Sequence, residues 1–473
     1  MNFEINVATK LFKPNKPLTM NQALWNRIEA FEFDKPGEEY GFSTRLADEN
    51  GWTQHFTQRV LLEYKKFMYL AATGDKMVSP SEIVDIVWHQ HLIFTDSYTQ
   101  FCELLGKRIE HIPSTHNPAE RETFEKAKAW TTEYYKKCFG EQPEDIWAYC
   151  DMLNDLPLEK GRVNSKTLIL MILGGFALLG VPLFFLLKPF FLETNNPYFL
   201  YGYILFFPIL IILLYQYVRI SYKKLMNDLA DHPTFKNLSA LELGYLKYDN
   251  VNYLIHSLVN SLIEKKKIEI TKDKKLALIE ETLNGTATEN AIVSLIKESG
   301  GSIEYKNLVI SMASKSIFRP IENSGNKIKE KIRGSAVHSS NIAIVSTVLL
   351  AYLSIGIIRL VLGVMRDKPV GFLIFTLVVA AFFAFKYLSK LADYFFTHTL
   401  PKYYRYNYLE PSQVNSPEWN YFLVGNAALM VGFSPLVSTV NTNSGSSSGA
   451  CASGCGGSGC GGGCGGGCGG CGG

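Results

Sequence analysis

The sequence predicts a mainly α-helical chain that combines soluble domains with four transmembrane helices and a disordered Gly/Cys tail. Two observations lead to this fold class. Four windows of the 473-residue chain are long, apolar and nearly uncharged, and a helix that crosses a bilayer needs roughly 20 such residues. The last 23 residues contain only Gly, Cys, Ala and Ser, a composition that cannot form a packed core.

Residues 1–160 are expected to form a helical cytoplasmic domain. Its apolar residues recur at helical spacing, and Ser81, Thr95 and Gly106 supply the caps at which helices begin and end. The predicted helices cover residues 22–31, 53–72, 81–91, 95–105 and 119–139.

Residues 161–218 are predicted to hold transmembrane helices 1 and 2, and residues 341–390 helices 3 and 4. Lys and Arg are concentrated before helices 1 and 3 and after helices 2 and 4, and such residues favour the cytoplasmic side. The first residues lack an apolar signal segment, so we expect helix 1 to direct insertion. We therefore expect a multi-pass protein of the cell (inner) membrane with both termini in the cytoplasm.

The cytoplasmic loop between these helix pairs, residues 219–340, is predicted to be a small α+β domain. Residues 267–281 indicate two short strands around a charged turn, which follow two helices. This order resembles a winged helix. The candidate recognition helix, residues 252–266, is apolar until its end, and the net charge of +3 is small. We therefore expect a structural or protein-contact role here and no nucleic-acid partner.

The segment from 391 to 440 is predicted to be juxtamembrane or interfacial. It contains a fifth apolar stretch, residues 420–440, which is interrupted by Asn426 and Pro435. We expect a docked or interfacial helix, because no cationic residue flanks its far end. The alternative is a fifth span, which would place the tail outside the cytoplasm.

The densest group of chemically active side chains lies in residues 79–113. It comprises Asp85, His89, His91, Asp96, Cys102 and His111. His89 and His91 are two residues apart and lie on different sides of a helix. A metal site built from His89, His91, Cys102 and His111 therefore requires the helix to end near His89.

Three interpretations of this group remain open. The histidines can satisfy buried hydrogen bonds between helices, which is the simplest reading. They can bind a metal. Together with Asp85 they can also form a metal-dependent hydrolase site, which requires the side chains to converge in a cleft. The sequence offers no nucleophile with an evident base, so we favour a protein that is not an enzyme.

The run Val84-Asp85-x-x-Trp88-His89-x-His91-Leu92 resembles the core motif of the glycine-rich-domain-containing protein family. Further matches strengthen the resemblance to a bacterial branch in which this domain precedes a multi-pass membrane region and a Gly/Cys-rich C-terminus. They include Thr95, Tyr98, Cys102, Gly106, His111 and Pro113. The resemblance covers nearly the whole chain and implies its plan, but it implies no activity.

The tail, residues 441–473, carries six cysteines on flexible glycine spacers. They are Cys451, Cys455, Cys460, Cys464, Cys468 and Cys471. Thiolates spaced in this way can wrap a soft metal ion such as zinc or copper. Two alternatives are a substrate for post-translational modification and an unspecialised low-complexity end. Disulfides are not expected in a reducing cytoplasm.

The function that the sequence favours is a membrane-anchored binding or scaffold protein. Its expected partners are the lipid bilayer and a protein that the sequence does not identify, and an oligomer of this chain is left open. Transport is a weak alternative, because the predicted transmembrane helices carry no acidic residue.

Overall fold

The computed structural model describes residues 20–35, 38–112, 118–194, 196–280, 285–410, 416–444 and 470–472. This part of the chain is mainly helical, with a few short strands. Four of its helices are long and apolar enough to cross a membrane. The predicted fold class is therefore confirmed at this level.

Helices dominate the chain before the first apolar helix. They are α1 (Gln22–Glu29), α2 (Phe42–Asn50), α3 (Gln54–Thr73), α4 (Glu82–Ile93), α5 (Thr95–Leu105), α6 (Pro118–Phe139) and α7 (Glu144–Trp147). Strand β1 (Glu110–Ile112) lies between α5 and α6.

The apolar helices come in two pairs on either side of a mixed segment. The first pair is α8 (Ser165–Glu193) and α9 (Asn196–Leu229), followed by α10 (Pro233–Lys236), α11 (Ala240–Tyr248), α12 (Val251–Glu264), β2 (Ile268–Ile270), β3 (Lys275–Leu278), α13 (Ala287–Glu298), β4 (Ser302–Glu304), α14 (Tyr305–Ala313) and α15 (Arg319–Arg333). The second pair is α16 (Ala336–Val364) and α17 (Gly371–Leu391), followed by a π-helical turn (Phe395–Thr399), α18 (Leu400–Asn407), α19 (Pro417–Val424), α20 (Ser434–Ser444) and β5 (Gly470–Gly472).

The chain separates into two compact units. The first contains Gln58–Asn154 with the described parts of Met1–Phe33 and Gly457–Gly473. The second contains Asp34–Thr57 together with the described part of Asp155–Gly456. Helix α2 therefore belongs to the second unit, where the Nδ2 of Asn323 donates to the Asp48 carboxylate at 2.6 Å. No pattern in the sequence predicts this partition.

Aromatic side chains from four helices form the core of the first unit. Each is fully buried, and they are Tyr64 and Phe67 of α3, Trp88 of α4, Phe101 of α5 and Tyr135 of α6. The rings of Phe67 and Trp88 lie 5.5 Å apart, in a tilted arrangement, which is a favourable geometry for aromatic pairs. This core holds α4 against α3 and so fixes the helix that carries the histidines.

A buried carboxylate joins three helices of the same unit. Glu63 on α3 is only 4% exposed. Its carboxylate accepts hydrogen bonds from the Tyr135 hydroxyl at 2.8 Å, from Trp147 Nε1 at 2.7 Å and from Lys66 Nζ at 2.8 Å. A buried charge is tolerated where it is paired and hydrogen-bonded in this way. The network ties α6 and α7 to α3.

In the second unit, reciprocal tyrosine contacts join α9 to α16. The Tyr203 hydroxyl donates to the Tyr352 carbonyl at 3.1 Å, and the Tyr352 hydroxyl donates to the Tyr203 carbonyl at 2.7 Å. Their rings stack at 4.2 Å. Near the end of α8, the Arg359 guanidinium of α16 donates to the carbonyls of Phe191 and Thr194. The side chains of Tyr203, Tyr352 and Arg359 are thus paired with backbone oxygens across the helices.

The segment between the apolar pairs contains a three-stranded antiparallel sheet in the order β2-β3-β4. Glu269 lies opposite Ala277, and Leu276 lies opposite Ile303. Strands β2 and β3 lie where the sequence predicts two strands around a charged turn. Strand β4 adds a third member that has no clear pattern in the sequence.

The fifth apolar stretch is divided between two short helices that pack on this segment. Tyr421 and Phe433 are fully buried in the core that includes α12 and α14. The Tyr253 hydroxyl donates to the Tyr421 carbonyl at 2.8 Å. Gly425, with a φ of +66°, breaks the helical path between α19 and α20. Within the described residues, the stretch is thus docked on protein and is absent from the helices long enough to span.

Candidate metal centre

Asp85, His89 and His111 bring three metal-ligating side chains together in the first unit. His111 Nε2 lies 3.1 Å from Asp85 Oδ1, and His89 Nδ1 lies 3.5 Å from Asp85 Oδ2. The ligand atoms of all three lie within 4.8 Å of one another. Two ligands that each sit about 2 Å from a tetrahedral ion are separated by about 3.4 Å. The observed spacing therefore suits a single ion with small side-chain adjustments.

Helix α4 supplies the first two ligands. Its first turn is capped by Ser81, whose hydroxyl accepts the Val84 N–H at 3.2 Å. Asp85 and His89 follow at a spacing of four residues, which places them one above the other on the same helix face. The Asp85 side chain is only 15% exposed, whereas the His89 side chain is 57% exposed. The site is therefore supported on one side and open to solvent on the other.

Strand β1 supplies the third ligand, His111, and Tyr98 holds the residue just before this strand. The Tyr98 hydroxyl on α5 donates to the Ile109 carbonyl and accepts the Trp88 Nε1–H at 3.2 Å. Gly106 ends α5 in the left-handed region, with a φ of +74°. The Trp88 ring also lies edge-on against His111 at 4.3 Å. These contacts hold His111 over Asp85.

His91 does not share this site. It is fully buried, its Nδ1 lies 2.9 Å from the Tyr64 hydroxyl, and its Nε2 lies 3.1 Å from the Ser97 hydroxyl. Burial lowers the pKa of His91 to about 4, so the ring is neutral at physiological pH. These contacts agree with the interpretation in which a histidine satisfies buried hydrogen bonds between helices.

The structure also revises the conditions that the sequence set for a metal site. Helix α4 continues to Ile93 and does not end near His89. The group forms nevertheless, because Asp85 and not His91 is the helical partner of His89. Cys102 is buried in α5 and is absent from the group found among the described residues. Of the four side chains in the hydrolase prediction, Asp85 and the three histidines, all but His91 come together.

The tail cysteines are only partly within the described residues. Cys451, Cys455, Cys460, Cys464 and Cys468 lie outside them. Cys471 belongs to β5, which pairs antiparallel with β1 and places Cys471 directly opposite His111. No pattern in the sequence connects the tail with the histidine cluster. Tyr98 was also missed as a positioning residue, although it stands ten residues after Trp88 in the same motif.

Two imidazoles and one carboxylate form a ligand set that suits zinc and similar divalent ions. Neutral imidazole nitrogen and ionised carboxylate oxygen are the forms that bind such ions. With three protein ligands and one exposed side, the arrangement leaves a coordination position for a further ligand. That position can take water, a substrate or another part of a protein.

No curated protein and no solved structure matches this chain. A family model described as UCP032817-like matches residues 27–144. The match is similarity over the helical N-terminal part of the chain, and it includes Asp85, His89 and His111.

Proposed function

We propose that this chain is a membrane-anchored binding protein whose first unit holds a divalent metal ion of the zinc class. Asp85, His89 and His111 would be its protein ligands. The observation that carries the proposal is the convergence of their ligand atoms within 4.8 Å. The contacts of Trp88 and Tyr98 behind His111 support it, because ligands held by neighbouring groups lose less freedom when the metal binds.

We further propose that the protein lies in the cell (inner) membrane with both termini and the loop domain in the cytoplasm. The four apolar helices and the distribution of Lys and Arg around them support this orientation. The whole plan also resembles the bacterial branch of the glycine-rich-domain-containing family. In this arrangement the candidate metal centre and the thiol-rich tail share the reducing cytoplasm.

The loop domain is proposed to be a winged-helix-like module that contacts protein. Burial of α12 supports this role over nucleic-acid binding. Leu254, Leu258 and Leu262 along this helix are all at most 1% exposed, and α19 packs on the same domain through Tyr421. A helix that reads a DNA groove must present polar side chains to the bases, whereas the middle of α12 is enclosed.

Zinc content of the purified full-length protein tests the metal site. The six tail cysteines are replaced by serine, so that the thiols cannot contribute. We expect one zinc per chain after saturation and dialysis, and a 10- to 100-fold or larger loss of affinity in His111→Ala. His398→Ala is the matched control, since His398 is an exposed histidine of the second unit. Absence of zinc in the parent, or equal retention in His111→Ala, contradicts the proposal.

A metal-dependent hydrolase is the second candidate, and the exposure of His89 favours it. Catalytic zinc sites have three protein ligands and keep one position open for water. This candidate predicts that zinc-loaded protein hydrolyses ester or phosphodiester model substrates and that His111→Ala abolishes the activity. Hydrolysis equal in parent and variant would assign it to a contaminant and leave the binding role.

A further inference from the structure

The C-terminal strand β5 lies along the edge of β1, beside the candidate metal centre. The pairing is antiparallel, with Glu110 opposite Gly472, His111 opposite Cys471 and Ile112 opposite Gly470. Extended peptides that add a strand to an exposed edge gain affinity from main-chain hydrogen bonds and specificity from alternate side chains. Here the alternate residue is a cysteine flanked by glycines.

The local sequence of β5 is suited to this position. The glycines opposite Glu110 and Ile112 have no side chains, so the main chain can approach β1 without a steric conflict. Residues directly opposite each other in an antiparallel pair have Cβ atoms about 5 Å apart and share one face of the ribbon. Cys471 occupies the register position directly opposite the metal ligand His111.

The same triplet recurs through the tail. Gly-Cys-Gly occurs at residues 454–456, 459–461, 463–465, 467–469 and 470–472. Because the triplets are identical, each has the chemistry needed to pair with β1 in the observed register. The repetition therefore gives the tail five segments of equivalent chemistry.

We infer that the Gly-Cys tail is the ligand of the metal centre, docking as a strand on β1 so that a cysteine thiolate fills the position left open by Asp85, His89 and His111. The inference rests on the proposed metal site. Thiolate, imidazole and carboxylate together form a mixed set that zinc accepts. The tail gives up the thiol proton when it binds, so occupancy of the site depends on reduced, unmodified cysteine. The site thereby reports the chemical state of the tail.

Cobalt(II) is the probe for the test, because a thiolate ligand gives a cobalt charge-transfer absorption in the near ultraviolet that histidine and carboxylate do not give. The protein is the full-length chain, purified anaerobically in detergent and loaded with cobalt. One variant keeps Cys471 as the only tail cysteine, with the other five changed to serine. We expect it to retain the charge-transfer band, since one triplet is sufficient.

Two further variants separate this inference from the proposed function. Changing Cys471 to serine as well should remove the band while cobalt still binds with a lower affinity. Adding His111→Ala to the chain with Cys471 alone should also remove the band, because one thiolate without the centre cannot hold the ion. Retention of the band in that variant overturns the inference.

Cobalt that binds in a His111-dependent manner without any charge-transfer band in the Cys471-only chain also overturns it, but leaves the metal site standing. If the chain in which all six tail cysteines are serine does not bind cobalt, the result instead contradicts the proposed metal site. The two failures are therefore distinguished by the same series.

Discussion

Replacing Tyr98 with phenylalanine removes the hydroxyl that holds β1 beside α4. In the structure this hydroxyl donates to the Ile109 carbonyl and accepts from Trp88 Nε1, and Tyr98 is only 6% exposed. Leaving a buried donor or acceptor without its partner costs about 1–3 kcal/mol. Loss of both contacts should therefore destabilise the local structure around β1 by about 2–4 kcal/mol.

Hydrogen–deuterium exchange of the full-length protein measures this change directly. A cost of about 2–4 kcal/mol corresponds to exchange about 30- to 1,000-fold faster, since each 1.4 kcal/mol is a factor of ten. The faster exchange should be confined to peptides covering 107–112. Zinc affinity should fall about 10- to 100-fold, because His111 is no longer held over Asp85.

Tyr64→Phe is the matched control for this variant. It removes another buried tyrosine hydroxyl, but one that contacts His91 Nδ1 on α4 away from β1. We expect it to leave exchange at 107–112 and zinc affinity unchanged. Equal effects of the two variants, or no effect of Tyr98→Phe on exchange at 107–112, would refute the reasoning.

Three further perturbations have defined expectations. The pKa of His91 falls from an unfolded value near 6.5 to about 4 in the folded chain. The contribution of neutral His91 to the free energy of unfolding is therefore complete above pH 6.5 and is lost as the pH falls towards 4. In chemical unfolding with chelator present, the unmodified chain should lose up to about 3 kcal/mol of its free energy of unfolding relative to His91→Gln between pH 6.5 and 4. A difference between the two proteins that stays constant with pH contradicts this. A Cβ at Gly356 would meet a tyrosine hydroxyl at 2.5 Å, whereas one at Gly175 meets nothing within 4 Å. Gly356→Ala should thus be about 1–3 kcal/mol less stable than Gly175→Ala in thermal unfolding in detergent. Arg359→Met should cost about 1.5–3 kcal/mol through its lost carbonyl contacts, and exposed Arg366→Met should not; equal melting of the two would argue against a structural role.

The sequence predicted well those features that depend on short stretches of chain. Helix α4 begins after Ser81 and α5 ends before Gly106, because a cap is a contact between residues only a few positions apart. The spacing of Asp85 and His89 was likewise enough to place them together. Neither argument could place His111, because a three-residue strand has too little periodicity to be recognised and its position depends on Tyr98 and Trp88.

By itself the sequence determined the four apolar helices, since length and composition alone decide whether a helix can cross a membrane. It also determined that six cysteines lie between glycines, alanine and serines in the last 23 residues. Only the tertiary structure decided that His111 joins Asp85 and His89, that Asp34–Thr57 belongs with the later part of the chain, and that Cys471 lies opposite His111. These features arise from contacts between residues far apart in sequence, and no local pattern specifies such contacts, because they depend on which surfaces of the folded elements fit one another.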